Sequence, residues 1–168
     1  RVRAGFDTSD IADKALPFLR AASAVKQLHG KVFGLFGGRS LGIDTGSFDP
    51  MQWRRDFGID VEHIDQLEIV RRAETIDADL SDEMVTWLEQ NAASVAYDGK
   101  QLTPEKLDFQ SRCYLATKEI IAEFDLDFVA IKCMPDMTNH YIPQCLSAAL
   151  LPGPYDAQGD KSSVPMAC

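Results

Sequence analysis

Apolar positions along the chain change period several times, and each change marks an element. Between residues 9 and 29, Phe18, Ala21, Ala22, Val25 and Leu28 recur at helical spacing, with Gly30 placed as the cap. Pro17 falls inside this stretch, so it either kinks the helix or occupies its first turn. Lys31 to Phe36 is a short β-branched and aromatic run that stops in paired glycines, which predicts a buried strand delivering a loop. Asp49-Pro50 opens a short helix that carries Trp53 and Phe57 on one face and ends at Gly58. Ile59 to Ile64 alternates apolar and polar residues, as an edge strand with one wet side does. Asp65 caps the next helix, on which Leu67, Ile69, Val70 and Ala73 are apolar and Arg71-Arg72 suits the far end.

Ser81 is expected to cap a helix running to about Val95, with Met84, Trp87, Leu88, Ala92 and Val95 on one side. Tyr97-Asp98-Gly99-Lys100 is a turn, and Thr103-Pro104-Glu105 starts the longest helix, whose stripe is Phe109, Cys113, Ala116, Ile120 and Phe124. Phe128 to Ile131 is a continuous apolar run of the kind found in buried parallel strands. A last helix is expected from about Thr138 to Leu151, broken by Pro152-Gly153-Pro154. Asp156 to Ser163 reads as a polar loop and Val164 to Cys168 as a final strand. Strands alternating with helices predict an α/β fold of flavodoxin or Rossmann-like type: a three-layer parallel sheet of order 2-1-3-4, with helices on both faces and all of residues 1–168 in one domain.

In such a sheet a ligand sits beyond the carboxyl ends of the strands. The loop after the first strand, Gly37-Gly38-Arg39-Ser40-Leu41-Gly42, suits that place because glycine lets backbone approach a ligand. Its glycines match neither the G-x-G-x-x-G dinucleotide pattern nor a P-loop, so the spacing names no ligand.

Charge narrows the classes. Against 17 Lys and Arg stand 26 Asp and Glu, a formal charge of −9, which argues against nucleic acid and anionic lipid as partners. No apolar run is long enough to span a bilayer. The cysteines at 113, 133, 145 and 168 include no C-x-x-C pair; Cys113 and Cys145 fall on apolar helical faces, and a reduced, cytoplasmic setting is the simplest reading. His29, His63 and His140 show no ligand spacing. The chain does not open on Met, which suggests processing or excision from a longer protein.

Five strings in order are more specific: Gly37-Gly38-Arg39-Ser40-Leu41-Gly42, Gln52-Trp53, Gly58-Ile59-Asp60-Val61-Glu62-His63-Ile64-Asp65-Gln66, Ile69-Val70-Arg71-Arg72 and Ala130-Ile131-Lys132-Cys133. Together they resemble the L-fucose isomerase family, and the likeness covers essentially the whole chain as that family's second, Rossmann-like substrate-binding domain. The resemblance implies an excised middle domain of a longer ketol isomerase, one that interconverts an aldose and a ketose such as L-fucose and L-fuculose through an ene-diol. It implies a divalent metal, commonly manganese, held by a Glu, an Asp and a His that map onto no position here, so that neither catalytic nor metal residues are expected in this chain and the chain alone is expected to be inactive. It further implies a small sugar as substrate, the missing domains as partners, and a homo-oligomer, often a hexamer. The alternative is a non-catalytic flavodoxin-like module that binds a sugar or a nucleotide.

The substrate-binding candidates are Gly38, Arg39, Ser40 and Leu41 after the first strand, and Lys132, Cys133 and Met134 after the third. Arg39 and Ser40 could donate to sugar hydroxyls, although Arg39 could equally pair with a local carboxylate. Lys132 could stabilise an oxyanion or orient a carboxylate. Leu41 shapes or packs the wall. Cys133 has no activating partner nearby in sequence. His63 and Asp65 read as interface or capping residues. The two segments are expected to line one crevice, because both follow parallel strands that are neighbours in the sheet.

Overall fold

The computed structural model describes residues 8–160 and 163–166. They fall into two compact units, residues 8–31 with Asp49–Asp60, and Val32–Phe48 with residues 61–166.

In the first unit, helix α1 spans Thr8–Leu28 and α2 spans Pro50–Phe57. Pro17 lies in the interior of α1. Most of the expected apolar stripe of α1 is exposed: Phe18 at 73%, with Ala21, Ala22 and Val25, while Leu28 is half-buried. Helical spacing marks a common face, but it does not say that the face is covered. The ends of α2 follow local rules. The Asp49 carboxylate accepts from the Met51 amide at 2.9 Å, Pro50 takes the first helical position, and Gly58 closes the helix at φ +70°.

The second unit holds the strands that frame the candidate site, except for Asp60, which opens one of them and falls in the first unit. Strand β1 is Val32–Phe36, β2 is Asp60–Ile64 and β3 is Phe128–Ile131; the sheet order is β2-β1-β3, with β1 and β3 parallel. Register is fixed early in the pairing. The Asp127 carboxylate accepts from the Val32 amide at 2.8 Å, while the Asp127 amide donates to the Val32 carbonyl at 2.9 Å. One rung on, Phe33 stacks against its cross-strand partner Phe128 at 4.9 Å. In β2, Asp60 and Glu62 are exposed, as the alternating pattern predicts for an edge, but the alternation fails at the end of the strand, where His63 is exposed and Ile64 buried. The expected fourth strand is reduced among the described residues to a single parallel bridge, Val129 with Met166.

Helices α3 (Leu67–Ala73), α4 (Ala78–Asn91), α5 (Pro104–Glu123), α6 (Asp136–His140) and α7 (Cys145–Leu150) complete this unit. Helix α5 packs against α3, α4 and α7. It buries Leu107, Cys113, Tyr114, Ala116 and Ile120 in a core shared with Phe36, Ile69, Met84 and Val129.

Several expectations are corrected here. Helix α4 starts before Ser81, because the Asp77 carboxylate accepts from the Asp79 amide at 2.9 Å; Ser81 is a buried interior residue whose hydroxyl donates to the Ala78 carbonyl. The same helix stops at Asn91 rather than Val95, since Ala92 is already extended. The expected helix over 138–151 is two helices, and the break falls around Pro143, which has no N–H to donate and crowds the turn before it. Cys145 is exposed on α7, not packed on an apolar face. Phe124 is the exposed C-cap of α5. The expected polar loop at 156–163 contains a small antiparallel hairpin, β4 (Tyr155–Asp156) with β5 (Gly159–Asp160).

Candidate functional site

The three strands end together. The Gly37 amide donates to the Ile64 carbonyl at 2.9 Å, the last rung between β1 and β2, and the Lys132 amide donates to the Phe36 carbonyl at 2.8 Å, the last between β1 and β3. Beyond those rungs the backbone diverges around a crevice of about 510 Å³, lined by Gly37, Asp65, Gln66, Lys132, Asp136 and Tyr141 among others. A crevice at the carboxyl edge of a parallel sheet is where an open α/β fold places its ligand.

A polar chain runs through the residues that line it. Lys132, at the end of β3, sends its ammonium to Asp136 Oδ2 at 2.9 Å, one turn on at the start of α6. The same oxygen accepts from Gln66 Nε2 at 3.2 Å, so one carboxylate joins the ends of β2 and β3. Lys132 holds that carboxyl below its usual range; burial opposes the shift and the Gln66 amide assists it. An ammonium has three N–H donors, and Asp136 takes one, which leaves donors for a ligand oxygen.

Gln66 is buried, and its Oε1 has no hydrogen-bond partner among the described residues. It fills the space a side chain at position 37 would need: a Cβ on Gly37 would stand 2.3 Å from that oxygen. Gly37 also sits at φ +78°, where L side chains are strained.

The candidates from sequence are placed unevenly. Lys132 stands in the crevice wall. Gly38, Arg39, Ser40 and Leu41 are not among the residues that line it, although the two segments meet where the Leu41 amide approaches the Met134 carbonyl at 3.5 Å. Arg39 reaches out to Asp44 at 2.7 Å, an ion pair exposed on both sides. Leu41 and Met134 are largely exposed, at 70% and 53%. Cys133 serves as a brace: its sulfur accepts from the Gln144 amide at 3.2 Å and lies 3.5 Å from the Thr138 hydroxyl, tying β3 to the starts of α6 and α7. His63 is exposed on β2, and the Asp65 carboxylate accepts from the Leu67 amide at 2.9 Å, a local cap that also lines the crevice.

Sequence reasoning passed over Gln66, Asp136, His140 and Tyr141. Two signals could have found the first pair: Gln66 lies two residues beyond the end of β2, at the same end of the sheet as the loop after β1, and Lys132 and Asp136 are four residues apart in opposite charge. Among the described residues no group of three or more His, Cys, Asp or Glu side chains is gathered closely enough to hold a metal ion, so this crevice by itself does not fit a divalent metal.

The thiols should react in the order of their surroundings. Burial pushes the Cys113 thiol up to about 11, whereas Cys145 is exposed. With a maleimide at neutral pH, peptide mass spectrometry should find that, of Cys113, Cys133 and Cys145, Cys145 is labelled first and Cys113 last; equal rates for these three would contradict the packing of α5.

No protein-family model matches the chain. Among curated proteins, it is 35% identical to the L-fucose isomerase of Phocaeicola vulgatus over 105 residues, 62% of this chain and 16% of that protein. It is 34% identical to that of Clostridium perfringens over 84 residues, 49% of this chain and 14% of that protein. With the enzyme of Bacteroides thetaiotaomicron the identity is 32% over 121 residues, 71% of this chain and 19% of that protein. The matched stretches thus span less than a fifth of each relative's own length.

Proposed function

Taking the chain as a member of the L-fucose isomerase family over its matched stretch, we propose that it forms the substrate-binding side of an aldose–ketose isomerase. The observation that carries the reading is the crevice at the shared carboxyl end of β1, β2 and β3, with Lys132 in its wall. A sugar presents a ring of hydroxyls that both donate and accept. Lys132 donates to one of its oxygens and, as a proton moves between adjacent carbons, its charge favours the oxygen on which negative charge develops. Asp136 keeps the ammonium in place by ion pairing, and Gln66 keeps Asp136 in place. Arg39, Ser40 and Leu41, on the loop that meets Met134, are proposed as the outer rim, with Gly38 leaving room above the crevice and Cys133 setting the backbone of the opposite wall. Proton transfer is assigned to a carboxylate of the full-length enzyme, and the family's divalent metal, most often manganese, is assigned there too. A cytoplasmic, homo-oligomeric parent belongs to the same proposal.

The test compares two proteins. The 168-residue chain should give no conversion of L-fucose to L-fuculose with manganese present. The full-length protein should convert it, and Lys132→Met there should lower kcat/KM by about 10- to 100-fold. Turnover by the chain alone, or an unchanged kcat/KM in the Lys132 variant, would overturn the assignment.

A further inference from the structure

After α7 the described residues form little regular structure. β4 and β5 contribute two residues each, far below the length at which a hairpin is stable by itself. Yet the segment that follows them lies in strand-like register along β3. The Val164 amide donates to the Leu151 carbonyl at 2.9 Å, the Ser163 hydroxyl to the Pro152 carbonyl at 2.5 Å, and the Val129 amide to the Pro165 carbonyl at 3.0 Å. Val164 and Met166 pack on the core while Ser163 and Pro165 are exposed. A slip of one residue would exchange those two pairs.

The hairpin that precedes this segment is held by a single carboxylate. Asp156, at the end of β4, is 2% exposed. Its Oδ2 accepts from the Tyr114 hydroxyl at 2.6 Å and from the Lys118 ammonium at 2.6 Å; its Oδ1 accepts from the Gln158 amide at 2.9 Å. Lys118 also donates to Gln158 Oε1 at 2.6 Å, and its ammonium lies 5.6 Å from the centre of the Tyr114 ring. Tyr114 and Lys118 are one turn apart on α5, so both donors are set by the helix on which the core is built. The apolar alternation opposes a slip of one residue, and convergent donors on one buried charge add a fixed point just ahead of the segment.

We propose that Asp156 is a positioning residue: anchored to Tyr114 and Lys118, it holds the hairpin so that residues 163–166 lie parallel to β3 in one register. Because the bridge at Val129 is parallel, the segment travels toward the end of the sheet where Lys132 stands. Nothing in this inference depends on a sugar being the ligand.

Amide hydrogen exchange on the full chain tests it. Asp156→Ala should speed exchange at Val129 and Val164 by about tenfold or more, while Asp127 and Lys132, whose amides donate to Val32 and Phe36 across β1 and β3, keep their wild-type rates. Asp156→Asn, which keeps the shape and an acceptor for Tyr114, should give a smaller rise at the same two amides. Unchanged rates at Val129 and Val164, or a common rise at all four, would overturn the proposal. If Asp156→Ala does not fold, Asp156→Asn is judged by the same criterion.

Discussion

Gly37→Ala should destabilise the protein by about 3 kcal/mol, seen as a lower midpoint of urea unfolding, through left-handed backbone strain added to overpacking. The neighbouring glycine separates the two causes. Gly38 has nearly the same backbone, φ +77° against +78°, but nothing stands within 4 Å of where its Cβ would be. Gly38→Ala should therefore lose only the strain, about 1 kcal/mol. The rest of the Gly37 effect belongs to Gln66, whose Oε1 occupies the site of the new methyl. Adding Gln66→Ala to Gly37→Ala should then recover about 1–2 kcal/mol as a coupling between the two positions. Equal losses at Gly37 and Gly38 would show that Gln66 is not packed where the structure puts it.

The second large effect is at Lys118. Replacing it with Met leaves the Asp156 carboxylate buried with Tyr114 and the Gln158 amide alone, at a cost of about 2–3 kcal/mol near neutral pH, less than for a fully buried pair because Lys118 is partly exposed. The loss should depend on pH with a definite sign. Burial alone would raise the Asp156 carboxyl; Lys118, then Tyr114 and the Gln158 amide, outweigh burial and hold it below the usual carboxylate range. A carboxyl depressed on folding contributes stability that is fully present above its unfolded value, about 3.9, and is lost as pH falls through the folded value. Wild type and Lys118→Met should thus differ most at neutral pH and converge in acid, where both carry a protonated Asp156. A difference that does not shrink in acid would assign the effect to lost packing of the lysine stem.

What the sequence made legible was local. The caps at Asp49 and Thr103 and the stop at Gly58 follow from single residues with one strong conformational preference, and all three stand where expected. The parallel order of the first three strands followed from alternation of elements and the short apolar run at Phe128. Legibility ended where two neighbouring signals competed. Asp77 and Ser81 both can cap, and the earlier one did. Pro143 divides a stretch whose apolar spacing by itself reads as one helix. The site was half legible for a related reason. A loop rich in glycine draws attention to itself, but the residues that line the crevice, Gln66 and Asp136 above all, are ordinary polar residues made important only by the convergence of three strand ends. No period or motif records that convergence, and Arg39, prominent in sequence, is tied to Asp44 on the surface.

The outer strand of the sheet has a consequence for how copies of the chain behave toward one another. A bare strand edge is a template on which another chain can add, and sheets that leave one open tend to grow into aggregates. Along β2 that hazard is met by Asp60, Glu62 and His63, whose exposed polar side chains would have to be stripped of water, with like charges brought face to face, if a second β2 came alongside. The β3 side has no such row; Phe128, Val129, Ala130 and Ile131 are what an incoming strand would favour, and Pro165 occupies the Val129 amide instead. Charge thus disfavours strand addition at one border and a strip of the chain itself covers the Val129 amide at the other, so weakening that strip should make the second border more open to strand addition.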